Sequence, residues 1–311
     1  MPLDRAADPP PLARRRGQRG EATLKTRDLG DFVLLAMLWG ASFLFMRVGA
    51  PEFGPIALIG LRVAIAALCL WPLWLAGSDA TSLRRHALPM ATVGICNSAL
   101  PFVLLAYASL SLTAGFTALI NATVPLWAAL VGMLWLRDRL TPRQWIGLLL
   151  GVIGMGVLTW GKVSFREGGS ALAIMAGLLA TLSYGFSSHF AKRTLVGVAP
   201  LAIATGSQTS AAIALAPLTL AFWPTATPSG YAWLALILLA TFSTALAYIL
   251  YFRLIAHLGG QRASTVTFLI PVFAAGWGGI FLGEVVTLPM LLGGAIILVG
   301  TALTLGIART S

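Results

Sequence analysis

The stretch TAGFTALINATVPLWAALVGMLWLRDRLTPRQWIGLLLGVIGMGVL (113–158) decides the fold, because its features are met again in RASTVTFLIPVFAAGWGGIFLGEVVTLPMLLGGAIILVG (262–300). A shift of 146 residues places Pro125 on Pro271, Leu136 on Leu282, Asp138 on Glu284, Thr141 on Thr287, Gly147 on Gly293 and Gly154 on Gly300 without a gap. Working outward, a shift of 145 relates Gly40 to Gly185, Ser42 to Ser187, Arg47 to Lys192, Pro55 to Pro200 and Pro72 to Pro217, and sets Trp39 against Tyr184. An apolar composition produces chance identities, so the weight falls on the matched Pro, Gly and charged positions. Self-similarity at one long period marks a duplicated unit.

The unit is a membrane unit. Of 311 residues, 58% are hydrophobic and 10% charged, whereas a soluble domain carries about a quarter charged residues; the mean hydropathy is +0.87. Ten apolar segments occupy approximately 31–49, 55–76, 88–108, 112–135, 142–161, 170–191, 200–222, 230–252, 260–282 and 288–308. Each is close to the roughly 20 residues that a helix needs to cross the hydrocarbon core, and too long for a barrel strand. Ten such spans leave about 110 residues for a tail and short loops, which is no room for a globular catalytic domain. The expected fold is therefore all-α integral membrane. It comprises a disordered basic cytoplasmic tail over 1–30, a first five-span repeat over 31–161 and a second over 170–308.

The charge of +11 would suggest nucleic acid in a soluble protein, but its placement points to topology. Seven cations lie in the tail (Arg5, Arg14, Arg15, Arg16, Arg19, Lys25, Arg27). With the tail inside, that side also holds Arg84, Arg85, Arg137, Arg139, Arg143, Lys192, Arg193, Arg253, Arg262 and Arg309, leaving Arg47, Lys162 and Arg166 outside. The positive-inside rule then puts both termini in the cytoplasm. Because five is odd, the second repeat enters the membrane from the opposite side, giving the 5+5 inverted arrangement that alternating-access carriers use. Duplication kept for packing alone is the other reading.

The segments WGASF (39–43), 113–158 and 262–300 resemble the two EamA domains of the drug/metabolite transporter superfamily. The likeness covers about residue 30 to the C-terminus. Its most specific part is a helix with a central Pro, an acidic residue at its end, a short linker with Thr and a Gly-rich helix, present twice at matching offset. Asp138 departs from the Glu that the family more often shows. The resemblance implies ten helices, a central cavity lined mainly by spans one, three, four, six, eight and nine, and export or exchange of small metabolites, often amino acids or drugs.

Several residues could carry such transport. Arg62 lies about seven residues into span two, where a cation is costly unless it snorkels or faces a polar cavity. It is either an anchor for an anionic substrate group or an Arg that reaches the headgroups or ties down backbone carbonyls. Pro125 and Pro271 each remove a helical hydrogen bond and free a carbonyl, as hinges or as shape-setting kinks. Asn97, Asn121, Ser243, Thr244 and Thr267 place polar atoms near the midplane, and the offset pairs Asn97 with Ser243 and Asn121 with Thr267. They form a hydrogen-bonding cavity or interhelical glue. Ser42, with Trp39, Tyr184, Tyr248 and Trp277, completes the candidate substrate site, the aromatic members as walls or as packing. His189, the imidazole inside an apolar segment, could titrate during a cycle or sit at the cytoplasmic rim. Asp138 and Glu284, at opposite ends of the bundle, are candidate gates or solvated helix ends.

Every carboxylate lies in the tail, a loop or a helix end, so a proton relay or sodium cage at mid-membrane is not expected. Cys69 and Cys96 sit in apolar runs and read as small hydrophobes. No P-loop, HExxH pair or GxSxG elbow occurs, and the sequence implies no catalytic residues, metal or cofactor. The expected partners are a small-molecule substrate and the lipid bilayer, with no nucleic acid, and monomer and homodimer are both left open. The expected function is an inner-membrane secondary transporter that exports or exchanges an amino acid or related amphipathic compound. A multidrug exporter, a passive channel and a membrane enzyme are the alternatives.

Overall fold

The computed structural model describes residues 26–77, 81–160, 170–258 and 263–306. Most of the basic tail, together with Asp79, Lys162, Arg166, Glu167, Arg262 and Arg309, lies outside the described residues. Within them the chain is helical: α1 (Thr26–Phe53), α2 (Pro55–Leu75), α3 (Ala87–Ser111), α4 (Ala114–Leu136), α5 (Pro142–Thr159), α6 (Ser170–Thr194), α7 (Pro200–Ala221), α8 (Gly230–Leu258), α9 (Ser264–Leu282) and α10 (Leu288–Thr304). The first nine are long and apolar enough to cross a bilayer, and α10, at 17 residues, is the shorter apolar tenth. A short helix, Thr81–Arg85, precedes α3. The first helical residue is Thr26, so the stretch expected to be tail ends in helix.

Local sequence sets the helix ends. Pro55, Pro142 and Pro200 each open a helix, where a missing N–H costs nothing. Thr141 and Gln144 form a reciprocal capping box at α5, and the Thr113 and Ser229 hydroxyls accept from the third helical N–H of α4 and α8, satisfying orphan donors. At the far ends of α4 and α9 the chain turns left-handed at equivalent positions, Arg137 (φ 59°) and Gly283 (φ 64°). There the Asp138 N–H bonds the Gly132 carbonyl at 3.2 Å and the Glu284 N–H bonds that of Gly278 at 3.1 Å.

Four spans are not regular. α3 and α8 contain π-helical turns at Ile95–Ala99 and Thr241–Leu246, which coincide under the repeat offset. α4 is broken after Asn121 and resumes at Val124, while α9 starts as a 3-10 turn over Ser264–Phe268 before Ile270–Leu282. Pro125 and Pro271 therefore stand in the first turn of a new helical piece, where Pro is tolerated, rather than as kinks inside a continuous helix.

Packing obeys the inverted repeat. α5 packs on α10 and α2 on α7, each helix against its own counterpart; α1 packs on α9 as α6 does on α4, and α3 on α6 as α8 does on α1. Both counterpart pairs run antiparallel. A methyl at Gly154 would lie 3.0 Å from the Gly293 carbonyl oxygen, and one at Gly300 would lie 2.6 Å from that of Gly147. On the other pair Gly60 abuts Thr219 and the Trp71 Nε1 donates to Thr209 at 3.1 Å. Close approach at small residues is how membrane helices associate where lipid offers no hydrophobic drive. A core of Phe43, Met46, Phe53, Leu58, Ile59 and Leu236 lies between the halves, and large apolar side chains such as Leu149, Val152, Ile213 and Ile280 face outward, as a lipid-facing surface requires.

Candidate functional site

Between the halves lies a cavity of about 930 Å³, within the range of small-molecule sites. Nine of the ten residues expected to meet a substrate line it: Trp39, Ser42, Arg62, Asn97, Asn121, Tyr184, Ser243, Tyr248 and Thr267. Trp277 does not; its indole turns back along α1, donating to the Met37 carbonyl at 3.2 Å and packing near Phe281. Pro125 lines the cavity and Pro271 is buried away from it. The lining also draws on α2 through Arg62, α5 through Gln144 and α10 through Thr304, beyond the six spans the resemblance implied.

Arg62 does not snorkel. It is 3% exposed and points inward, where its Nε donates to the Thr244 Oγ1 at 2.9 Å. Its guanidinium carbon lies 3.7 Å from the Phe102 ring centroid, a cation–π contact. Around it stand Trp39 against Tyr251, centroids 5.1 Å apart, and Phe102 against Tyr184 at 6.3 Å. Behind this wall the Gln208 amide donates to the Ser98 Oγ at 2.8 Å and to the Tyr248 hydroxyl at 3.4 Å. The Asn121 Oδ1 and the Ser243 Oγ are buried without a hydrogen-bond partner, although such atoms are normally satisfied.

The sequence reading did not single out Phe102, Tyr251, Gln208 or Ser98. Tyr251 follows Tyr248 by one turn and shares its face, a spacing the sequence displays. Phe102 lies five residues after Asn97, on a different face of an α-helix; the intervening π turn brings both to the cavity, and such turns cluster at functional sites.

The two ends differ. At one, the cavity reaches Asp138, Arg139, Gln144, His189 and Lys192. His189 Nε2 lies 2.8 Å from the Ala128 carbonyl oxygen; a carbonyl can only accept, so Nε2 carries the proton. A methyl at Gly132 would meet both the Asp138 carboxylate and the His189 ring, which places the two side by side. At the other end neither Glu284 nor Arg47 reaches the cavity. Arg47 Nε pairs with the Glu284 Oε1 at 3.5 Å, the Arg47 NH1 donates to the Ser109 and Leu110 carbonyls at 2.7 Å, and the Glu284 Oε2 accepts from the Ala114 N–H at 2.8 Å. Among the described residues no group of three or more His, Cys, Asp or Glu could hold a metal, and both cysteines are free.

Comparison with known proteins agrees with this architecture. The family model of the EamA-like transporter family matches residues 30–160 and again 171–306. The chain is 26% identical over 292 residues to the uncharacterized inner membrane transporter YedA of Escherichia coli (strain K12), covering 89% of this chain and 90% of that one. It is 22% identical over 272 residues to the uncharacterized transporter YoaV of Bacillus subtilis, covering 86% and 93%. A probable terminal-alkyne amino-acid exporter of Streptantibioticus cattleyicolor is 25% identical over 274 residues, covering 87% and 91%. One solved crystal structure superposes with a TM-score of 0.64 at 20% identity, over 92% of this chain and 98% of the other, a likeness of fold. Two model matches on two antiparallel halves settle the assignment: the chain belongs to the EamA-like transporter family, and it is a multi-pass membrane transporter.

Proposed function

We propose that this transporter exports or exchanges a small amphipathic metabolite, an amino acid or a related compound, by alternating access around the central cavity. One observation carries the reading: a solute-sized cavity between two inverted halves is open at the Asp138 end and latched at the Glu284 end. Two halves of the same fold can exchange these conformations, presenting one site to each face in turn. The substrate residues are those that line the cavity, with Pro125 and the α4 break as a hinge and Asp138, Glu284 and His189 at the gates. The amino-acid class is supported by the cavity's mixture of one buried cation, amide and hydroxyl groups and aromatic walls, and by the likeness to the Streptantibioticus protein named as a probable amino-acid exporter.

Orientation follows from charge. Arg84, Arg85, Arg137, Arg139, Arg143, Lys192, Arg193 and Arg253 gather at the Asp138 end, so that end is cytoplasmic by the positive-inside rule and the cavity faces the cytoplasm. Among the described residues no carboxylate lies at mid-membrane, which supports transport driven by the substrate gradient or by exchange. Proteoliposomes loaded with unlabelled amino acids test both points. Saturable counterflow of labelled substrate that survives collapse of a pH gradient is expected. Non-saturable flux overturns the carrier reading, and flux that vanishes with the pH gradient overturns the coupling.

A further inference from the structure

Arg62 is held by neutral groups alone, and unevenly. Its Nε is committed to Thr244 at 2.9 Å and its plane is fixed on Phe102. The two terminal nitrogens have weak partners: NH1 faces the Met46 sulfur at 3.8 Å and NH2 the Ser42 hydroxyl at 3.4 Å. Among the described residues no carboxylate stands against it, since Asp138 lies at the open mouth of the cavity and Glu284 is paired with Arg47. The Ser243 Oγ, 1% exposed and beside Thr244 on the same π turn, is an unpartnered donor lining the same space. A cation taken out of water with no counter-charge is costly, and an oriented guanidinium whose two-nitrogen edge is only weakly held matches a planar oxyanion bidentately.

Resting on the transport reading above, we infer that the cavity selects net negative charge. Its ligand is a monoanionic carboxylate, bound by the NH1–NH2 edge of Arg62 with help from the Ser243 hydroxyl, with an apolar or aromatic remainder against Trp39, Tyr184 and Tyr251. An ammonium group on the ligand finds no acid near Arg62 and weakens binding, since its lost hydration goes unrepaid beside a like charge. The class is thus an arylalkyl carboxylate or an amino acid whose nitrogen is blocked, ahead of the free zwitterion.

A series of phenyl-bearing ligands tests this by tryptophan-fluorescence titration of the purified full-length protein: 3-phenylpropionate, N-acetyl-phenylalanine, phenylalanine, phenethylamine and phenyl phosphate. The two carboxylate monoanions are expected to bind at least tenfold more tightly than phenylalanine, phenethylamine not measurably, and phenyl phosphate more weakly than either carboxylate. Arg62→Gln is expected to weaken 3-phenylpropionate by roughly a hundredfold, as for a buried charge pair losing one member. Arg62→Lys, a point charge without the fork, should retain part of the binding, and Ser243→Ala should lose a few-fold. If Arg62→Gln does not fold, the series on the unsubstituted protein decides alone. Equal binding of phenylalanine, binding of phenethylamine, or phenyl phosphate as the tightest ligand overturns the inference. Counterflow of the bound carboxylate is measured separately, so a protein that binds anions but moves none fails the transport reading and not this one.

Discussion

Arg47 and Glu284 pair across the bundle with 3.5 Å between Nε and Oε1, and each also holds a backbone group of the other repeat half or of a neighbouring span. The offset that relates the halves maps Arg47 to Lys192 and Glu284 to Asp138, yet among the described residues Lys192 and Asp138 form no ion pair and both line the open mouth. One pair is closed and its counterpart is apart, the asymmetry that the proposed alternation of gates requires. Gly278 and Gly132 make room for the two carboxylates at equivalent places, since a side chain at either would press on the acid.

Breaking the closed latch should therefore move the equilibrium. Glu284→Gln loses an ion pair worth up to about 1 kcal/mol and weakens a helix-capping contact worth roughly 1 kcal/mol. The expected result is a shift of about three- to thirtyfold toward the state open at the Glu284 end. In a background lacking Cys69 and Cys96, the labelling rate of Asn97→Cys by a membrane-impermeant thiol reagent applied from that end reads it. An unchanged rate would sever the link between this pair and access.

Matching contacts should yield matching penalties. A methyl on Gly40 would stand 2.7 Å from the Phe273 Cβ and 3.0 Å from the Ala274 N, and one on Gly185 2.9 Å from the Trp127 carbonyl carbon and 2.8 Å from the Ala128 N. Residues 273 and 274 are the offset counterparts of 127 and 128. Overpacking of this kind costs about 1–3 kcal/mol, so Gly40→Ala and Gly185→Ala should lower the thermal midpoint by similar amounts. Gly276→Ala, where nothing lies within 4 Å, should not. Unequal losses at the two glycines would mean that the halves do not share one packing rule.

Much of this geometry was legible because it rests on backbone chemistry that the repeat copies. The matched Pro and Gly positions, the paired acids Asp138 and Glu284 and the positions of Asn97 and Ser243 all follow from residue types at fixed offsets. Arg62 was legible as a cation with two possible destinations, and only tertiary structure could choose, since snorkelling and inward bonding need the same sequence. The π turns of α3 and α8 were not legible: the few polar residues of ICNSA and TFSTAL are too few to set a period that distinguishes an α turn from the wider π turn. Trp277 misled for a related reason. Its place near Pro271 marks a helix face, but which face meets the cavity depends on the 3-10 start of α9, and the indole found a backbone carbonyl instead.

The left-handed turn after α4 offers a stabilising substitution. Arg137 adopts φ 59° where its counterpart Gly283 adopts φ 64°, and a side chain in that region costs about 1 kcal/mol relative to glycine. Arg137 is exposed and Arg139 and Arg143 remain nearby to hold the topology. Arg137→Gly is expected to raise the thermal midpoint of the purified protein by a degree or more with transport unchanged. A fall would show that the Arg137 side chain makes a contact stronger than the strain it bears.

The orientation of the whole bundle can be decided at two exposed residues that close equivalent helices. Val285 follows Glu284 and is 75% exposed, while Arg139 follows Asp138 among the basic residues that the positive-inside rule assigns to the cytoplasm. Odd-numbered repeats force these two sites to opposite faces, and the charge bias says which is which. In intact cells lacking the native cysteines, Val285→Cys should react with an impermeant maleimide at once, and Arg139→Cys only after the membrane is permeabilised. Reaction of both without permeabilisation would contradict the inverted arrangement itself, whereas an exchange of the two results would keep the fold and reverse the direction in which the open cavity faces.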